Sequence, residues 1–498
     1  MNNKVRIIDL NNQIYENKIT LKIYNIIFKK LELSFEIYPL ENNLIAVYSI
    51  HLLKYLSSIF LKKNEIITNN LLSDFKSVNL NSFPYLSYEE ITNNKIIDNK
   101  KYGIYQKNTF KQKIKSIMYK YKSFSHNDIS SSLNALSIND FKYLNKNLNV
   151  NFISFINNFF YEDIKDQVDI LEEIIEEVYD SIEMPLNKNS VFKLFNNHIK
   201  INVSEGKDKY KLVSDFTLLT SGSDTINRHL GAKSLKYKKK IIILDHAHYT
   251  GYTDDVIFGL GEQLYSDYFI GFGDFYSFNK KNYDFSKNYK CKILNSSSSK
   301  INEIKKLTKH KKNNISNVEN FYYIPTSLRG PSYRYGPFMD ISDKTYLDWQ
   351  NVLKKIFGSK IIIKHHPKDK FRTIYKKYHK DTRSSEENIS NIIYNKSNIC
   401  FIFDTIGTAF AEVSATNFPI IFFDLHQRNI PEFIKLHIKK RCLYIDLNKY
   451  KYISLDDIYD QISNFKFDFS SLDKFSISND NLNNNQIKVL NNYFEKIR

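Results

Sequence analysis

The residues best suited to chemistry fall at the ends of apolar runs. Ile399–Phe403 leads into Asp404-Thr405-Ile406-Gly407-Thr408, with Glu412 shortly beyond. The apolar run predicts a buried strand and Ala409–Thr416 a helix, so the turn between them lies at a strand's carboxyl end. A tight turn at Gly407 with a helix from Thr408 exposes unpaired N–H groups and partial positive charge, which suit phosphate. Asp404 closes the strand, Thr405 and Thr408 add hydroxyl donors, and Glu412, one helical turn past Thr408, can accept from ribose hydroxyls. The competing reading makes Thr405 or Thr408 an ordinary helix N-cap.

Two further runs end in histidine. Ile361–Ile363 passes through Lys364 into His365-His366-Pro367. Pro367 stiffens the turn and removes a donor, holding His366 toward the sheet edge where open α/β sheets bind ligands. His365 reads as a solvated bystander. Ile241–Leu244 ends in Asp245-His246-Ala247-His248, with Asp254 and Asp255 following. His-x-His raises the question of metal, but no HExxH or cysteine cluster supplies further ligands, so no metal is expected. A general base fits better: His246 first, with His248, Asp254 and Asp255 as rivals and Asp245, Asp254 or Asp255 able to orient the imidazole. Otherwise His246 holds neighbouring loops in register.

Alternating strands and helices must position these groups. Phe216–Thr220, Ile241–Leu244 and Tyr268–Gly273 read as strands of one α/β layer. Residues 296–320 are polar and weakly periodic and read as a linker. Strands from Phe321, Ile361, Ile399 and Pro419, with a helix over Tyr346–Phe357, form a second unit, and Tyr444–Phe465 adds a strand and a helix. Upstream, Val5–Leu10 and Phe35–Val47 read as strands. Asn93–Asn147 reads as helices with long loops. Tyr161–Ile182 reads as an amphipathic helix whose acidic positions form a solvated face. A terminal helix is expected over Asn485–Ile497, packed back across a cleft between the two units.

A chain of 498 residues is too long for one ordinary domain. Its formal charge of +18 comes from lysines spread through strands and loops alike, so it is discounted as a sign of nucleic-acid binding. Arginine is more telling: six of nine (Arg329, Arg334, Arg372, Arg383, Arg428, Arg441) lie around the candidate residues, and arginine suits bidentate phosphate contacts. Arg329, Arg334 and Lys364 are the cations expected near a leaving phosphate; the alternative is surface cations in a lysine-rich chain. Three isolated cysteines make no disulfide framework, which fits a reducing cytoplasm. The first residues show no leader pattern, and the longest apolar run, Leu44–Leu61, contains His51 and Lys54. It reads as an amphipathic or buried helix rather than a span, leaving a soluble or peripheral protein.

The C-terminal pattern, a strand into Tyr-Ile-Pro-Thr, then His366-Pro367, then Asp404-Thr405 and the helix bearing Glu412, resembles bacterial GT-B glycosyltransferases of surface-carbohydrate synthesis. The similar families are the CDP-glycerol glycerophosphotransferases and the capsule Kdo- and sialyltransferases, over roughly residues 216–430. The resemblance implies an α/β GT-B-like fold: two Rossmann-like domains facing a central cleft, with helical insertions in the N-terminal half. Residues 1–320 would form an acceptor-binding domain, 321–470 a donor-binding domain, and 471–498 a tail. It implies metal-independent transfer of a sugar from a CMP- or CDP-linked donor to a surface polysaccharide or lipid-linked acceptor. The donor would be a substrate, with no cofactor. His366, Pro367, Asp404, Thr405, Gly407, Thr408, Glu412, Arg329 and Lys364 would face the donor. A histidine followed by glycine faces the acceptor in such families; His246 matches it, with Ala247 in place of the glycine, and Thr405 and Thr408 stand where serines are common. The expected site of action is cytoplasmic, with peripheral contact to anionic membrane and no nucleic acid. The alternatives are a glycerol- or ribitol-phosphate transferase of the same fold, and a non-catalytic basic membrane-binding or GT-B-like interaction protein.

Overall fold

A computed structural model describes residues 5–6, 13–37, 45–46, 49, 52, 56, 129–132, 150–153, 165–182, 188–189, 216–219, 231, 234–235, 238–245, 252, 263–264, 266–273, 291–296, 298–311, 318–326, 343–365, 378–426, 430–449 and 452–475. Strand β1 (Val5–Arg6) is followed by helix α1 (Gln13–Ile37). Next come β2 (Ile129–Ser132), β3 (Val150–Ile153), α2 (Lys165–Ser181), β4 (Phe216–Leu219), β5 (Lys240–Leu244), β6 (Tyr268–Phe272) and β7 (Lys292–Ser296). Strands β2 to β7 form a six-stranded, wholly parallel sheet in the order β3-β2-β4-β5-β6-β7. The chain leaves β2 toward β3 and leaves β4 toward β5, in opposite directions, so this sheet is doubly wound.

Helix α3 (Ser299–Thr308) leads to the second sheet, built from β8 (Asn320–Tyr323), β9 (Ile361–Lys364), β10 (Arg383–Ser385), β11 (Ile399–Phe403), β12 (Ile420–Asp424) and β13 (Leu443–Asp446). It too is parallel, in the order β10-β9-β8-β11-β12-β13. Its helices are α4 (Asp343–Phe357), α5 (Ile389–Asn395), α6 (Thr408–Ser414), α7 (Glu432–Arg441) and α8 (Leu455–Asn464). Side chains alternate between the sheet's faces. Tyr323, Ile363, Ile402 and Phe423 pack with Leu347 and Leu353 of α4 and Ile458 of α8. Tyr322, Ile362, Phe401 and Phe422 pack on the other face with Ile392 of α5, Phe410 of α6 and Ile434 of α7. With both faces covered, the strands read as continuous apolar runs, which is why they were legible. A short β14 (Tyr452–Ile453) pairs antiparallel with β1, tying the start of the chain to this half of the molecule.

Several expectations change. Residues 299–308 are not linker: Ser298 caps α3, and Ile301 and Ile304 are fully buried among the helices of the second sheet. Two buried isoleucines among lysines and asparagines give too faint a period to announce a helix. The segment read as helices with loops contains β2, whose Ile-Ser-Ser-Ser has almost no apolar signal. Phe35–Ile37 is the last turn of α1 and residues 45–46 are helical, so the described residues of 35–47 hold no strand. Elsewhere in Leu44–Leu61, Leu52 and Leu56 are helical and fully buried. The amphipathic segment near residue 170 is α2, with Leu171, Ile174, Ile175 and Val178 buried and Glu173 ion-paired to Lys30 of α1 at 2.9 Å. Leu472 and Phe475 are buried in the core, so the expected tail starts with packed residues. Asn485–Ile497 lies outside the described residues. Among the described residues, no helix is long and apolar enough to cross a membrane.

Candidate functional site

The carboxyl edge of the second sheet has its topological switch point between β8 and β11: the chain leaves β8 toward β9 and leaves β11 toward β12. Open parallel sheets bind ligands in the crevice at such a point, where loops diverge to opposite faces. The loops here are Ile324-Pro325-Thr326 after β8 and Asp404–Gly407 after β11.

One buried carboxylate fixes both. Asp404 is 3% exposed. It accepts from Trp349 Nε1 at 3.0 Å, from the Tyr346 hydroxyl at 3.1 Å, and from the Tyr323 hydroxyl. Tyr346 Oη also accepts the Thr326 N–H at 2.9 Å. The two hydroxyls lie 3.0 Å apart, but with one proton each and a carboxylate between them, both donate to Asp404. Strand β8, helix α4, the Thr326 loop and the end of β11 therefore share one polar knot. Burial pushes the Asp404 carboxyl up to about 6, against the lowering effect of its three side-chain donors. Asp404 thus acts as an internal anchor and not as a ligand-facing group.

Beyond it, Thr405, Gly407 and Thr408 are partly exposed at the edge, while Ile406 turns into the core. Gly407 is the N-cap of α6 in extended backbone (φ −155°, ψ −176°), with open space where a Cβ would stand, so the expected tight turn is an extended entry. Gly407 holds the N-cap position, so neither threonine is the N-cap of α6. Glu412 is not at the edge. It is 2% exposed, is ion-paired to Lys300 of α3, and has a second oxygen, Oε2, buried without a hydrogen-bond partner among the described residues. Lys364 is also buried, its ammonium donating to His365 O at 2.8 Å. His365 is not the solvated bystander expected: it is 7% exposed, and His379 behind it is held near 4 by burial, with His365 and Lys354 adding to the effect. His379 Nε2 meets Gln350 Oε1 of α4 at 2.8 Å.

Arg441 shows that surviving arginines need not serve phosphate. Fully buried, it donates to Ser414 O (3.0 Å), Val413 O (3.3 Å), Thr416 O (2.8 Å) and Phe418 O (3.0 Å), closing the carboxyl end of α6 and the loop to β12. Arg383 is exposed and contacts Ser359 O.

His246, His248, Asp255, His366, Pro367, Arg329 and Arg334 lie outside the described residues. The chain on either side of the His246–His248 stretch is placed: Asp245 is buried at the end of β5, its N–H on Ile270 O at 2.9 Å. Tyr252 is buried against Phe410 of α6, ring centroids 6.1 Å apart, and against Phe475. The Tyr323–Tyr346–Trp349 set has one cue in the sequence. The chain's single tryptophan stands three residues after Tyr346, on one face of a helix.

Among the described residues no cluster of three or more His, Cys, Asp or Glu is arranged to hold a metal ion. No protein-family model matches the chain, and no curated protein matches it.

Proposed function

We propose that this protein is a metal-independent glycosyltransferase of GT-B type, with two Rossmann-like domains facing a cleft, moving a sugar from a CMP- or CDP-linked donor to a surface polysaccharide or lipid-linked acceptor. The observation that carries the reading is the switch point between β8 and β11, where the Asp404 knot fixes two loops and leaves Thr405, Gly407 and Thr408 at the edge. A second doubly wound parallel sheet in the same chain supports it. So does Tyr252, which brings the connection after β5 against α6.

In this reading the threonine hydroxyls and N–H groups near Thr408 hold the donor phosphate. Arg329, three residues after Thr326 in the chain, and His366 complete the donor side. Glu412 positions α6 through Lys300 rather than touching ribose. An acceptor hydroxyl is a weak nucleophile at neutral pH, and His246, or its rivals His248 and Asp255, takes its proton. The donor is a substrate and the scheme needs no resident cofactor. The protein works in the cytoplasm, at the inner face of the membrane where acceptors are lipid-linked. Incubation with CMP-N-acetylneuraminic acid, CMP-Kdo, CDP-glycerol and CDP-ribitol tests the reading. Release of CMP from a CMP-sugar supports a glycosyltransferase. Turnover of CDP-glycerol or CDP-ribitol alone selects the polyol-phosphate transferase, and no turnover of any donor contradicts both.

A further inference from the structure

The carboxyl edge of the second sheet carries another arrangement beside the switch point. Asp424 and Asp446 end β12 and β13 in register with each other. Each holds a different part of His426. Asp424 Oδ1 accepts the His426 backbone N–H at 2.8 Å, and Asp446 Oδ1 meets the ring Nε2 at 2.8 Å. His426 sits in the left-handed region, φ 53°, a conformation that costs a side-chain-bearing residue energy and collects at functional positions. Asp424 is itself anchored, by the Tyr444 hydroxyl and by Lys435 of α7 at 3.8 Å. Asp446 also accepts the Asn448 N–H and feels Lys449. It lies below the usual carboxylate range: burial opposes this, and the His426 hydrogen bond and charge outweigh the opposition. Asp446 is therefore an acceptor, and ring Nε2 must carry the proton shared with it. That leaves Nδ1, 3.7 Å from Asp424 Oδ2, as the exchanging position on a ring 35% exposed.

Strand pairing sets the level of this dyad. Phe403 pairs with Phe422, so His426 falls four residues past the pairing on β12, as Gly407 does on β11. We propose that the Asp446–His426 dyad is a proton-transfer site for the leaving group, delivering the Nδ1 proton to the phosphate oxygen released when the sugar bond of a nucleotide donor breaks. It rests on the transferase reading. The bond from the sugar's anomeric carbon to the phosphate oxygen breaks, and the bond from that carbon to the acceptor oxygen forms. The phosphate oxygen gains the proton from Nδ1. The acceptor's proton passes to its base and on to water, from which His426 is reprotonated. Asp446 holds the ring in place throughout.

The test is the rate of CMP release from CMP-N-acetylneuraminic acid and from CMP-Kdo, measured from pH 5 to 9. His426→Asn suits the purpose because asparagine tolerates the left-handed backbone, and unchanged stabilisation by CMP or CDP confirms that it folds. Turnover in His426→Asn should fall about 10²–10⁴-fold with nucleotide binding intact. In Asp446→Asn the basic limb of the pH profile should move to lower pH, which a merely structural contact would not produce. Turnover within threefold of wild type and an unmoved basic limb in both variants would overturn the dyad while leaving the transferase standing. Wild-type protein that is neither stabilised by CMP, CDP, UDP or GDP nor active on either donor would overturn the transferase, and the dyad with it.

Discussion

Asp404 and His379 shift in opposite directions, and their effects on stability oppose each other. Asp404 titrates near 6 in the folded chain against an ordinary 3.8. Between those values the folded state holds more protons than the unfolded, so stability falls as pH rises, by about 3 kcal/mol in all. His379 titrates near 4 against 6.5. There the unfolded state holds more protons, so stability rises with pH by about 3 kcal/mol over nearly the same window. Asp404→Asn is the informative variant. Its amide oxygen can accept from Tyr323 and Trp349, and its amino group can donate to Tyr346 if the Tyr346 proton turns to the Tyr323 oxygen 3.0 Å away. Unfolding measured at pH 4 and pH 7 should show the variant gaining about 3 kcal/mol relative to wild type as pH rises. Parallel curves would mean that Asp404 does not titrate in this window. At the edge, Thr408→Val should leave the fold intact and weaken nucleotide binding by about 1–3 kcal/mol, measured by calorimetry. Unchanged affinity would make Thr408 an ordinary first-turn residue.

The helices before and after β11 end on cations from neighbouring elements. Arg441 closes α6, and Lys311, just past α3, closes α5 by donating to Ile393 O (2.8 Å), Tyr394 O (2.6 Å) and Lys396 O (3.1 Å). Both satisfy carbonyls that a helix leaves unpaired, and both place positive charge at its negative end. Arg441→Met should cost at least about 3 kcal/mol, because it strands several buried acceptors. Arg441→Lys should recover only part, since an ammonium cannot match the guanidinium's fork. Equal stability of all three proteins in chemical unfolding would refute the clamp. These contacts also mark the limit of sequence reading. Strands β5, β6, β8, β9, β11 and β12 were legible because burial on both faces writes an unbroken apolar run. Strand β10, Arg-Ser-Ser on a sheet edge, has no such need. The Asp404 turn was legible as a strand end, but its anchoring role was not, because its partners lie 55 to 81 residues away in the chain. Glu412 at one helical turn from Thr408 suggested a shared face, yet α3, hidden in a lysine-rich stretch, covers that face.

Two wholly parallel sheets with different strand orders lie in one chain, and the chain crosses between their territories more than once. Strand β1 pairs with β14, Tyr252 packs on α6, and α3 pairs Lys305 with Asp473 near the end of the described chain. The second sheet is therefore not a detachable C-terminal half: its periphery includes residues from the first ten positions onward. Such an arrangement ties occupancy of the β8–β11 edge to the stability of the surrounding structure, since a ligand there would bind only the folded chain. The most direct test of a nucleotide site at that edge is thermal unfolding with millimolar CMP, CDP, UDP and GDP, on wild type and Thr408→Val in parallel. At a hundredfold excess over its dissociation constant, the matching nucleotide should add about 2.7 kcal/mol and raise the midpoint by several degrees, with a smaller rise in the variant. No rise with any of the four nucleotides, or an equal rise in both proteins, would contradict a nucleotide held at Thr408.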